Sequence, residues 1–121
     1  FIQVALAEAM DTPRTRKQVE EMIQAFANRR QLIMGLLDDI PGLTYVKPYG
    51  AFYIMVDVSG LGMTSTEFAQ KLLEEKYVAT VPAVGLDDKT GKFVRFSYAT
   101  SEENIQEGLR RVKELVEELA Q

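Results

Sequence analysis

One apolar stripe constrains this chain more than any other feature. Val19, Met22, Ile23, Phe26, Ile33, Met34 and Leu37 recur at spacings of three and four, with Arg30 as the single interruption. Apolar residues at that period line one face of an α-helix, so the spacing predicts a long helix from about Arg14 to Asp39. The "IPG" at 40–42 stops it. A shorter helical pattern, with Ile2, Leu6 and Ala9 on one side, covers Phe1 to about Met10. "DTPRT" at 11–15 separates the two, because Pro13 disfavours helix in the residue before it.

After the long helix the period changes to two. "LTYV" and "GAFYIMVDV" read as strands, with Lys47-Pro48-Tyr49-Gly50 between them. Thr64 and Glu67 form a capping box that opens a helix through Phe68, Ala69, Leu72 and Leu73. "YVATVPA" at 77–83 reads as a strand ended by Pro82, "VGLDDKTG" as a turn-rich loop, and "KFVRFSYA" as the last strand. Thr100 with Glu103 reads as a second capping box, and Ile105, Leu109, Val112, Val116 and Leu119 form the apolar face of a final helix. The order α–α–β–β–α–β–β–α predicts an α+β fold. Its expected core is a three- to four-stranded antiparallel or mixed sheet with helices packed on one face. No repeat, low-complexity segment or linker divides residues 1–121, which read as a single domain.

Composition removes several functions. The chain has no Cys and no His, which excludes a thiolate nucleophile, a Cys-based zinc site and a Ser–His–Asp triad built from this chain alone. The net charge of −4, with Lys and Arg dispersed, leaves no basic stripe for a nucleic acid. No apolar run is long enough for a bilayer, and "FIQVALAEAM" lacks the basic start and cleavage pattern of a signal peptide. The chain starts within a helical pattern and without Met, so it reads as a piece of a longer or processed protein, with a cytoplasmic setting expected.

Within the last strand, alternation points Val94, Phe96 and Tyr98 one way and Phe93, Arg95, Ser97 and Ala99 the other. An Arg among these aromatics has two readings. It is a surface residue whose alkyl stem lies across an open sheet, or it is a rigidly mounted clamp whose planar fork meets a carboxylate. Gly50 likewise either serves a plain turn or lets a ligand approach the backbone. Arg29 and Arg30 read as the polar side of the long helix, and Lys89 and Lys92 as solvated. The "GLG" at 60–62 is not G-x-G-x-x-G and is rejected as a nucleotide loop.

Lys47-Pro48-Tyr49-Gly50-Ala51-Phe52-Tyr53, Val81-Pro82 and Val94-Arg95-Phe96-Ser97-Tyr98-Ala99 occur in an order and spacing that together resemble a known family. The chain looks like the C-terminal, small domain of class I/II, fold type I, pyridoxal-phosphate-dependent aminotransferases. It is most similar to their prokaryotic aspartate and aromatic branch. The resemblance implies that Arg95 binds the α-carboxylate of an amino-acid or 2-oxo-acid substrate, that Gly50 is a second substrate-side contact, and that Phe52 and Tyr53 pack as strand residues. It also implies that the cofactor lysine and the other pyridoxal-phosphate contacts lie in a large domain. No cofactor is therefore expected on this chain by itself, and residues 1–13 would lead in from that domain. The full enzyme would be a homodimer. Relatives usually read P-G-x-x-F-G where this chain has Pro82-Ala83-Val84-Gly85-Leu86-Asp87.

Two other readings predict different behaviour. A free-standing ferredoxin-like module for small ligands would use the β–α–β–β–α stretch from Gly50 onward. A purely structural domain would tolerate loss of Arg95. The aminotransferase reading instead predicts an exposed apolar surface around Ile2, Leu6 and the start of the long helix.

Overall fold

The computed structural model describes residues 1–86 and 88–121; Asp87, the last residue of the departing 82–87 segment, lies outside the described residues. Helix α1 spans Ile2–Ala9 and α2 spans Pro13–Asp38. Pro13 therefore starts α2 rather than merely ending α1. It occupies the first helical turn, where its missing N–H has no helical partner to lose, and Thr12 caps the helix by accepting from the Thr15 N–H at 3.2 Å.

Strands β1 (Thr44–Val46) and β2 (Tyr53–Asp57) follow, then α3 (Ser65–Lys76), β3 (Val81–Pro82), β4 (Phe93–Ser97) and α4 (Glu102–Leu119). The four strands lie in the order β1-β2-β4-β3, and every pairing is antiparallel. The expected α+β sheet is thus fully antiparallel, with β4 held between β2 and β3.

Inward residues Ile54, Val56, Val94, Phe96 and Tyr98 join Ile33 and Leu37 of α2, Phe68 and Leu72 of α3, and Val112 and Leu115 of α4 in one core. Among the described residues the other face of the sheet carries no helix, and Tyr53, Met55, Phe93, Arg95 and Ser97 are half-buried or exposed there. The capping box of α3 forms as expected: Thr64 accepts from the Glu67 N–H and the Glu67 carboxylate accepts from the Thr64 N–H at 2.8 Å. At Gly60 a side chain would run into the Gly42 carbonyl, so this crossing of two loops needs glycine.

Two expectations need correction. The strand expected over 77–83 shrinks to Val81–Pro82. Tyr77 takes a left-handed conformation, and the N–H groups of Tyr77 and Val78 close the end of α3 on Leu73 and Leu72, which takes them from the ladder. The second capping box does not form. Ser101, not Thr100, caps α4 by accepting from the Asn104 N–H, while Thr100 accepts from the Asn104 side chain. The apolar stripe of α2 is buried only in its second half: Ile33, Met34 and Leu37 are inside, whereas Val19, Met22 and Ile23 are exposed. With Ile2 and Leu6 of α1 they leave the apolar surface that the aminotransferase reading predicts.

Candidate functional site

Arg95 sits at the middle of β4, on the uncovered face. Its strand neighbours Val94 and Phe96 are 0% and 4% exposed, so they anchor the backbone from below and force the intervening side chain outward. Across the sheet, Val46, Met55, Arg95 and Val81 form one row through all four strands. The guanidinium carbon lies 5.5 Å from the centre of the Tyr53 ring, a cation–π contact that leaves its N–H groups available. Among the described residues Arg95 has no carboxylate partner; the ion pair on this face joins Lys92 to Asp57 at 3.0 Å. A half-buried guanidinium on a central strand can give two parallel hydrogen bonds to an incoming carboxylate.

Gly50 lies in the exposed loop between β1 and β2. A side chain there would touch nothing within 4 Å, so no contact among the described residues demands glycine. The loop is held from one side. Tyr98 donates its hydroxyl to the Gly50 and Ala51 carbonyls, at 3.2 and 3.1 Å, and its N–H to the Phe52 carbonyl at 2.8 Å. Arg30 Nη1 donates to the Pro48 carbonyl at 3.4 Å. Burial raises the Tyr98 pKa from its ordinary value of 10.0, against the opposing pull of the Arg30 charge, so the phenol stays protonated and can donate.

Gly50 lines two hollows. One lies against α2, between Met22, Phe26 and Arg30, with Tyr98 at its floor. The other runs over the outer sheet face to Tyr53 and Met55. Arg95 lines neither of these two, and is joined to the second through Tyr53, which it covers, and Met55, its ladder partner.

Three residues carry more than sequence reasoning assigned. Tyr53 is a strand residue of β2, as the resemblance implies, but it also lies on the open face beneath Arg95, whereas Phe52 is half exposed and precedes the strand. Alternation against Ile54 and Val56 signals this orientation. Arg30 is not simply on the polar side of α2: it is half-buried, and its Nε is enclosed without a partner among the described residues. Its place inside the apolar stripe is the signal. The Tyr98 hydroxyl has no sequence signal, because its acceptors lie more than forty positions away.

On the open sheet face Arg95 has no carboxylate partner among the described residues, and α1 and the first half of α2 expose apolar side chains. The aminotransferase class I and II family model matches residues 1–112, and the chain belongs to that family. It is 36% identical over 117 residues to an aspartate aminotransferase of Pyrococcus horikoshii, a match covering 97% of this chain and 30% of that protein. The crystal structure of an aromatic aminotransferase from Pyrococcus horikoshii superposes with a TM-score of 0.92 at 38% identity, over 97% of this chain and 31% of that one. The aspartate aminotransferase from Thermus thermophilus with maleate matches with a TM-score of 0.75 at 38% identity, over 84% of this chain and 25% of that one. The chain therefore spans about 30% of the length of the curated relatives it matches, and corresponds to their small domain. Among the described residues no helix is long and apolar enough to cross a membrane.

Proposed function

We propose that this chain serves as the small domain of an aminotransferase that moves an amino group between an amino acid and a 2-oxo acid, with Arg95 binding the substrate α-carboxylate. The observation that carries this reading is the unpaired, half-buried guanidinium on the open face of the central strand. Gly50 is the second substrate-side contact, a position where a side chain would meet nothing within 4 Å and the backbone lies open to a ligand. The apolar surface of α1 and the first half of α2 is the seat of the large domain. The full enzyme works as a homodimer in the cytoplasm.

In such an enzyme pyridoxal phosphate supplies the electron sink for the reaction. The lysines of this chain do not fit that group. Lys17, Lys71, Lys76 and Lys92 each pair with a carboxylate, Lys47 lies near the Tyr49 ring, and Lys89 and Lys113 are exposed. The hollow that sets Lys76 beside Arg110 and Arg111 is an open one, and these cations are already paired with Glu118, Glu107 and Glu114. This supports the reading that the large domain holds the cofactor.

The test is a titration of the labelled chain with maleate, the dicarboxylate of the Thermus thermophilus structure, read at the side-chain Nε–H resonance of Arg95. A saturable shift at Arg95 that is absent in Arg95→Ala is expected. A response confined to other cations, or none at all, would refute the assignment.

A further inference from the structure

We infer that Tyr98 is a positioning residue, tying the Gly50 loop to the strand that carries Arg95 so that the two halves of the substrate site keep a fixed relation. This rests on the reading of Arg95 and Gly50 given above. Gly50 and Arg95 lie on different elements and do not line a common hollow, so some other contact must set their spacing.

That contact converges on one residue. Three successive carbonyls, those of Gly50, Ala51 and Phe52, all accept from Tyr98, the first two from its hydroxyl and the third from its N–H. In an extended strand successive carbonyls point in opposite directions. Here Ala51 adopts φ 61°, a left-handed conformation that strains an L-residue carrying a side chain. The turn brings the Gly50 and Ala51 carbonyls within reach of one phenol, whose donation offsets that strain. Tyr98 is itself enclosed: it is 0% exposed, and its ring centroid lies 6.4 Å from that of Phe26 on α2. Arg30, one helical turn further along α2, holds the start of the same loop through Pro48. The loop is therefore fixed at both ends to elements that also fix β4. Displacing Tyr98 would shift Gly50 relative to Arg95 without substituting either residue.

Tyr98→Phe tests this, because it removes the hydroxyl and leaves the ring. Backbone ¹⁵N relaxation reads order at Gly50 and Ala51, amide exchange at residue 98 reads local opening against core amides such as Val112, and maleate affinity is read at Arg95. The expected result is loss of order at Gly50 and Ala51, exchange at residue 98 accelerated about tenfold beyond any change at Val112, and maleate binding weakened several-fold. Tenfold corresponds to about 1.4 kcal/mol, the scale of one lost hydrogen bond. Arg30→Gln, which loosens the other end of the loop, is expected to weaken maleate binding in the same direction and serves if Tyr98→Phe does not fold. Unchanged loop order, or a loosened loop with unchanged maleate affinity, would overturn the inference. A wild-type chain silent toward maleate at Arg95 would instead overturn the reading of Arg95, and the positioning role with it.

Discussion

Arg95 and Phe96 are adjacent on one strand and should behave as opposites when truncated. Phe96 is 4% exposed and lies over the core opposite Ile54. Phe96→Ala removes its buried ring and leaves a void between sheet and helices, a loss of ~3–5 kcal/mol. Unfolding entropy of about 2.1 cal/mol/K per residue, over 121 residues, converts this to a fall in Tm of roughly 12–20 °C. Arg95→Ala removes a half-exposed side chain whose one described contact is the Tyr53 ring. That contact is worth ~0.5–1 kcal/mol, a fall of roughly 2–4 °C. Circular dichroism during thermal and urea unfolding reads both, and an unchanged urea slope confirms that the comparison concerns the native state. If Arg95→Ala costs as much as Phe96→Ala, the guanidinium is holding the fold together, and the argument that it stands free for a carboxylate fails.

Other consequences can be measured directly. Tyr98 and Tyr45 both have pKa values raised above 10.0, chiefly by burial, and Tyr45 further by its hydrogen bond to Asp38. Groups with a raised folded pKa contribute stability that is complete below pH 10 and lost as pH rises through the folded values. The Tm should therefore fall on going from pH 9 to pH 11, and the difference between wild type and Tyr98→Phe should shrink. Thr64→Ala and Ser101→Ala each remove a helix cap and should cost ~1 kcal/mol in urea unfolding, whereas Thr100→Ala loses only a side-chain contact to Asn104 and should cost less. Ala51→Gly should raise Tm modestly, because glycine adopts the left-handed conformation at 51 without strain; a fall would mean that the turn is not strained.

Much of the fold is legible in the chain. The 3.6-residue stripe marks α2, the Thr64–Glu67 box marks the start of α3, and alternation across 92–99 sorts β4 into its two faces. These succeed because each depends on neighbours within a few positions. The misses share the opposite cause. Residues 77 and 78 have strand-like side chains, but their N–H groups are used to close α3. Thr100 and Ser101 are equally good caps in sequence, and the backbone geometry where α4 begins selects Ser101. The site divides in the same way. Arg95 is visible as a charge out of place in an aromatic strand, and Arg30 as a charge inside an apolar stripe, but the use of each depends on what lies opposite.

The sequence by itself determined the elements, the orientation of Arg95 away from the core and, through its motifs, membership of the aminotransferase class I and II family. Periodicity and local capping are short-range properties, written residue by residue. Tertiary structure alone decided that Tyr53 lies beneath Arg95 and that Tyr98 binds the carbonyls of Gly50 and Ala51. Those relations depend on strand register and on how a helix crosses a sheet. They join residues that no local rule connects, because their energies arise only when distant segments are brought into contact.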